Sequence, residues 1–385
     1  MKTAIINASL VLENEILEGG TVVFENGIIS YVGKDLPESD EIIDAGGEYL
    51  LPGFIDVHCH GGGGYDFMDA SPSEMREISK FHLAHGTTTL VATTLTDTWE
   101  SIEHSLQNFA RLGNDRLTLH GVHLEGPWFS PLQCGAQSTE QMEKPSAKKL
   151  SELKEKYPFI ERVSLAPELD EDFKVAKKAR ELSVIAAIGH TDADFDTTVL
   201  AADNGYNLVT HLYSGMRGVI RKNAYRSAGC VEGSLYDDRL TVETIADGKH
   251  LPASLLKLIY KFKGADKICL VTDATRGAGA NEGDVIMLGK LDGGTAVIVE
   301  DGVAKLFDRQ SFAGSIATTD RLFRTVRELV GLPLYEISKM ISRTPARVMG
   351  YDDRGTIEVG KRADLITMDQ NLNVNKIYLN GERIN

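Results

Sequence analysis

Five histidines and two carboxylates fall where metal binding or proton transfer would use them: His58, His60, His190, His211, His250, Glu125 and Asp273. His58-Cys59-His60 puts two imidazoles at i and i+2, and the two-residue period of a strand sends both to one side. Cys59 then faces the other way as a small packed thiol. A His-x-His pair by itself is weak, because lone histidines are more often satisfied core groups than ligands. Joined to Glu125, His190, His211 and Asp273, it becomes a set of six donors of the kinds that bind zinc, iron or a similar divalent ion. Six exceed the need of one tetrahedral site, so one or two ions are expected, two of them bridged by Glu125 and zinc first among the candidates. Such an ion brings the pKa of bound water toward ~7 and polarises a carbonyl, which makes attack on an amide or ester carbon feasible at neutral pH. Asp273 is expected as the general base and then acid, with a ligand or helix-capping role as its plainer alternative. His250, just past Ala246-Asp247-Gly248, is placed to stabilise a developing oxyanion, a surface-loop histidine being the alternative. His82, His85, His104, His120 and His123 fall on helical segments or inside a strand and are read as structural.

These donors need strand ends to hold them. Eight apolar runs read as strands: 53–57, 87–92, 117–124, 162–165, 184–189, 207–210, 242–246 and 268–272. Amphipathic segments lie between them, the pattern of repeated βα units around a parallel sheet. His58 and His60 end the first strand, Glu125 the third, His190 the fifth, His211 the sixth and Asp273 the eighth. In a (β/α)8 TIM barrel all of these ends open onto one mouth. Helix starts are marked at Ser71-Pro72-Ser73-Glu74 by a capping box with proline at the first helical position, and again at Asp97 with Glu100. A later helix is expected over 320–330. Asn26-Gly27 and Asn380-Gly381 sit between strand-like runs as hairpin turns. The expected organisation is therefore a barrel over 52–347 and a small β-sandwich domain formed from both chain ends, 1–51 and 348–385.

Length and composition agree with that reading. The 385 residues exceed the roughly 250 of a bare barrel. No apolar run approaches the ~20 residues of a membrane span, and the acidic residues soon after Met1-Lys2 do not resemble a secretory signal. The four cysteines are widely spaced and suggest neither disulfides nor a cysteine metal site. A cytoplasmic location is expected, with no membrane partner. A net charge of −15 argues against nucleic-acid binding, so an anionic ligand would need a local basic cluster. Arg217, Arg221, Lys222 and Arg226 supply one within ten residues, and arginine suits bidentate phosphate binding. A solvated basic loop is the alternative.

Pro52-Gly53-Phe54-Ile55-Asp56-Val57-His58-Cys59-His60-Gly61 resembles the opening metal motif of the amidohydrolase superfamily. His123-Leu124-Glu125-Gly126-Pro127-Trp128, Gly189-His190-Thr191, Thr210-His211-Leu212-Tyr213 and Thr272-Asp273-Ala274 resemble the N-acetylglucosamine-6-phosphate deacetylases within it. The C-terminal run 355–365 is common across the superfamily, so the likeness spans nearly the whole chain. The resemblance implies hydrolysis of the N-acetyl group of an amino-sugar 6-phosphate to acetate and the free amine. It implies Glu125, His190 and His211 as core metal ligands, with a second ion left open by His58 and His60. It further implies His250 as the carbonyl-polarising histidine and Asp273 as the proton-transferring aspartate. Arg226 is the best match to an arginine that binds substrate phosphate from the neighbouring subunit, which implies a homodimer.

Two pocket positions depart from the family pattern. Ser214-Gly215-Met216 stands where Asn-Ala-Met is usual, and Gln137 where a substrate-contacting histidine is common. The loop after Met216 is also longer and ends without the usual Arg-Glu-Pro-Gly. Three alternatives stay open: action on the galactosamine epimer, a non-catalytic metal- and sugar-binding homologue, and a cyclic-amide or dipeptide hydrolase. The last is disfavoured because no bridging lysine ends the fourth strand.

Overall fold

The computed structural model describes residues 1–384. Its centre is a barrel of eight parallel strands: β1 (Phe54–Cys59), β2 (Thr87–Thr93), β3 (Leu119–Glu125), β4 (Ile160–Leu165), β5 (Ile185–Ile188), β6 (Tyr206–Val209), β7 (Thr241–Thr244) and β8 (Ile268–Leu270). Each is hydrogen-bonded to its sequence neighbour in the unbroken order β1 to β8. The barrel closes where the chain leaves β8: Asp273 N–H donates to His58 O at 2.9 Å and His60 N–H to Ala274 O at 2.7 Å. All eight expected strands exist. Two boundaries move in an informative way, because β1 runs on through His58 and β3 includes Glu125 as its last residue. The eighth strand stops at Leu270, short of the expected Thr272.

The two chain ends meet in one mixed sheet of eight strands, in which Leu365–Met368 pairs antiparallel with Tyr49–Pro52. This sheet has its own apolar core, including Ile5, Leu10, Val22, Phe24, Leu50, Leu365 and Tyr378. Asn26 and Gly27 both adopt positive φ, at 52° and 77°, as do Asn380 and Gly381 at 53° and 77°. Those are the backbone conformations a type I′ hairpin demands. Nothing expected from sequence corresponds to a second antiparallel sheet between β8 and the helix Thr319–Val330. It comprises Val285–Leu288, Thr295–Glu300 and Val303–Leu306. Its Asp301-Gly302 turn, with φ of 55° and 72°, carries the same hairpin signature.

Helix starts follow local chemistry. At Pro72–Ala84 the Ser71 hydroxyl accepts from Glu74 N–H, and the Glu74 carboxylate accepts from Ser71 N–H at 2.7 Å. The next helix, Trp99–Ala110, is capped by Thr98, whose Oγ1 accepts from Ser101 N–H at 3.3 Å, and not by Asp97. Asp97 instead pairs with Lys290 at 2.8 Å, which ties the helix entry to the inserted sheet. Thr98→Ala is expected to cost about 1 kcal/mol, the usual worth of an N-cap side chain, seen as a lowered thermal midpoint.

Candidate active site

Six donors meet at the mouth of the barrel. His58 and His60 project to one side of β1, as the period of two requires, with their Nε2 atoms 3.3 Å apart. Glu125 lies between the two halves of the cluster. Its Oε1 stands 2.9 Å from His211 Nε2 and 3.4 Å from His190 Nε2, and its Oε2 is 3.2 Å from His60 Nε2. Asp273 Oδ1 closes the first half at 3.4 Å from His58 Nε2 and 3.2 Å from His60 Nε2. The donors thus form two groups suited to a cation, His58–His60–Glu125 and Glu125–His190–His211, joined by one carboxylate. None of the six residues is more than 7% exposed.

The backbone that aims these groups is unusual. His190, His211 and Asp273 have φ of 44°, 28° and 48°, in the left-handed region that side chains other than glycine rarely adopt. Such strain persists only where surrounding structure over-determines it, and it clusters at functional sites. Gly215 (φ 57°) packs so closely that a Cβ there would lie 2.6 Å from His190 Nδ1 and 3.0 Å from Gln133 O. The glycine that departs from the family pattern therefore lets the chain pass beside a ligand ring.

Partners behind the donors set their polarity. His190 Nδ1–H donates to Gln133 O at 2.9 Å, and His58 Nδ1–H donates to Glu243 Oε2 at 3.0 Å. Both rings then turn an Nε2 lone pair inward, the form in which imidazole binds a metal. Two such lone pairs facing carboxylate oxygens in a buried space fit a divalent cation. Burial by itself would raise the Glu125 pKa, but the His58, His190, His211 and His60 rings around it outweigh that effect and hold the carboxyl well below its ordinary range. Asp273 behaves alike: burial raises it, while His58 and His60 bring it down further. For His60 burial is again opposed and outweighed, here by the Asp273 and Glu125 carboxylates, so its pKa rises well above the usual value.

Of the residues expected to meet a ligand, Gln137, Ser214, Gly215 and His250 line one cavity with His60, Glu125, His190, His211 and Asp273. Its volume is about 190 Å3. The inserted sheet and the segment after it roof the cavity with Leu288, Ser311 and Phe312. Gln137 is braced at both ends of its amide. Its Nε2 donates to Glu125 Oε2 at 2.7 Å and its Oε1 accepts from Thr96 N–H at 3.0 Å, so it braces the shared carboxylate. His250 Nδ1–H donates to Asp247 Oδ2 at 2.9 Å, and its ring lies 4.8 Å from that of Phe312.

Arg226 is not among the lining residues. It lies on a two-stranded hairpin, Ile220–Lys222 with Tyr225–Ser227, where Arg221, Lys222 and Arg226 are all exposed. Arg217 is partly buried and donates to Ser227 Oγ at 3.0 Å. The remaining histidines serve the scaffold: His82 takes up Gly61 O and the Cys59 thiol, and burial lowers its pKa to about 4. His123 contacts Ser164 Oγ at 2.6 Å.

Sequence reasoning overlooked Glu243, Arg162, Asp56 and Asp247. Glu243 and Arg162 are fully buried within β7 and β4 and pair with one another. Asp56 lies within β1 and accepts from Thr272 Oγ1 at 2.5 Å; burial outweighs that bond and raises its pKa to about 7. For Asp56, Arg162 and Glu243 the available signal was a charged residue inside a barrel strand, which is rarely buried without a partner.

The amidohydrolase family profile matches residues 49–384, and the chain belongs to that family. N-acetylglucosamine-6-phosphate deacetylase of Bacillus subtilis (strain 168) is 35% identical over 381 residues, covering 95% of this chain and 93% of its own length. N-acetyl-D-glucosamine-6-phosphate deacetylase from Mycobacterium smegmatis, solved in complex with N-acetyl-D-glucosamine-6-phosphate, superposes with a TM-score of 0.91 at 31% identity over 99% of both chains. N-acetylgalactosamine-6-phosphate deacetylase of Escherichia coli O157:H7 is 30% identical over 381 residues, 97% of each chain. Within the family, the chain groups with these amino-sugar phosphate deacetylases.

Gly215→Ala is expected to displace the His190 ring and loosen metal at the Glu125–His190–His211 side, since the added methyl meets Nδ1 at 2.6 Å. Ions per chain, measured by elemental analysis after dialysis, checks this.

Proposed function

We propose that this enzyme hydrolyses the acetamido group of N-acetylglucosamine 6-phosphate to glucosamine 6-phosphate and acetate. The observation that carries the reading is the pair of donor groups sharing Glu125 beneath a cavity that also holds His250 and Asp273. Kinship to deacetylases of 6-phosphorylated N-acetyl sugars supports the substrate class.

His58, His60, Glu125, His190, His211 and Asp273 would hold one or two divalent ions, zinc being the best chemical match to imidazole and carboxylate donors. When bound, such an ion acts as a Lewis acid and makes water nucleophilic at neutral pH. The chain's own groups do the rest. Asp273, at the barrel mouth beside His58 and His60, accepts the proton of the attacking water and returns it to the departing nitrogen. His250, held through Nδ1 by Asp247, lines the cavity, where it would meet the carbonyl oxygen as negative charge develops there. Gln137 and Gly215 keep Glu125 and His190 in register. The exposed Arg226 supports a role across a homodimer interface, where it would meet the phosphate of the neighbouring subunit's substrate. A cytoplasmic setting suits an enzyme of phosphorylated sugars with four free cysteines.

Acetate release from the 6-phosphates of N-acetylglucosamine and N-acetylgalactosamine tests the reading, with the glucosamine compound expected to react faster. Preference for the galactosamine epimer would change the sugar and leave the reaction. Asp273→Asn is expected to lower kcat by ~10²–10⁴-fold with metal still bound, and a wild-type rate would remove Asp273 from proton transfer. Arg226→Ala is expected to raise KM for the phosphorylated sugar without changing metal content.

A further inference from the structure

Glu243 is fully buried in β7, behind the metal-site donors and out of reach of the cavity. Three donors converge on its carboxylate. Oε2 accepts from His58 Nδ1–H at 3.0 Å and from the backbone N–H of His211 at 3.2 Å, while Oε1 accepts from Arg162 Nη1. Arg162 is itself fully buried, and it also donates to Val57 O at 3.2 Å and Thr210 Oγ1 at 2.8 Å. A buried ion pair of this kind is weak evidence for stability, because apolar residues of similar volume often do as well. What it does supply here is polarity. The carboxylate has lone pairs for all three donors, and its acceptance from Nδ1 selects the tautomer of the neutral His58 ring whose other nitrogen carries the lone pair.

We infer that Glu243, anchored by Arg162, is the positioning residue that makes His58 a ligand and so equips this chain to hold a cation on the His58–His60 side as well as on the His190–His211 side. The inference rests on the reading that these donors bind divalent ions. It adds that the first half of the centre depends on a residue that touches neither ion nor substrate. The carboxylate also reaches the second half through the His211 N–H, at a residue whose φ is 28°. Glu243 therefore ties the two halves to one point in the barrel interior.

Glu243→Gln leaves a single amide oxygen for three donors. The Arg162 charge claims it, and the amide nitrogen then donates into His58 Nδ1, which puts the ring proton on Nε2 where the ion should bind. Because that variant leaves Arg162 poorly paired and is at risk of misfolding, two double variants isolate the effect. Glu243→Leu with Arg162→Met removes the pair and the acceptor. Glu243→Gln with Arg162→Met removes the pair but leaves an amide oxygen free to accept from Nδ1.

Chelator-stripped full-length protein is titrated with Co2+, read by its visible d–d absorption and by ions per chain. Wild type is expected to take two ions. The Leu/Met variant is expected to bind the second ion at least ~tenfold more weakly, the usual cost of losing a ligand's outer partner, and to lose its spectral contribution. The Gln/Met variant is expected to recover both. A Leu/Met variant that binds two ions like wild type would overturn the inference, as would a Gln/Met variant no better than Leu/Met. Wild type that takes no Co2+ would instead overturn the metal reading itself, so the two failures are distinguishable.

Discussion

Electron-rich atoms crowd together in this structure where water is scarce. Two imidazole nitrogens lie 3.3 Å apart, and carboxylate oxygens of Glu125 and Asp273 stand within 3.5 Å of them. Brought together without positive charge, such groups repel, and burial makes the repulsion stronger. The arrangement suits a receptacle for cations, and much of the surrounding structure holds it in place. His190, His211 and Asp273 are held at strained φ values. Gln133, Gln137 and Glu243 fix the rings and the shared carboxylate from behind.

Closure of the barrel and assembly of the site are the same event. The bonds from Asp273 N–H to His58 O and from His60 N–H to Ala274 O join the first strand to the chain leaving the last. They also set Asp273 beside both histidines. A scaffold that failed to close would separate the proton-transferring carboxylate from the donors it must face. The inserted sheet after β8 and the segment that follows it then roof the cavity, placing Phe312 against the His250 ring.

Charge is handled locally. The chain carries a net −15, yet its kin act on phosphorylated sugars, and long-range attraction cannot bring such an anion in. The basic hairpin projects Arg221, Lys222 and Arg226 into solvent, free to act on a neighbouring molecule. The pocket floor carries the His and carboxylate groups that could hold a cation, and Leu288 and Phe312 line the roof.

Much was already determined by the sequence itself. The period-two placement of His58 and His60, the donors at the ends of apolar runs, the Asn-Gly turns and the Ser71 capping box are local patterns, and local backbone physics is enough to read them. The alternation of strands and helices then required a barrel with one mouth, which brought Glu125, His190, His211 and Asp273 together in advance of any coordinates. Only the tertiary structure decided which groups stand behind those donors. Glu243 and Arg162 are 81 residues apart and look like interruptions of their strands until the barrel sets them face to face. Gln137 lines the pocket as expected, but only the structure shows its amide also on Glu125, and the Asp97 cap gave way to Thr98 because Lys290, nearly two hundred residues away, holds the aspartate. The reason is physical: hydrogen bonds across a barrel depend on distances that chain closure sets, and those distances leave no mark on the sequence around either partner.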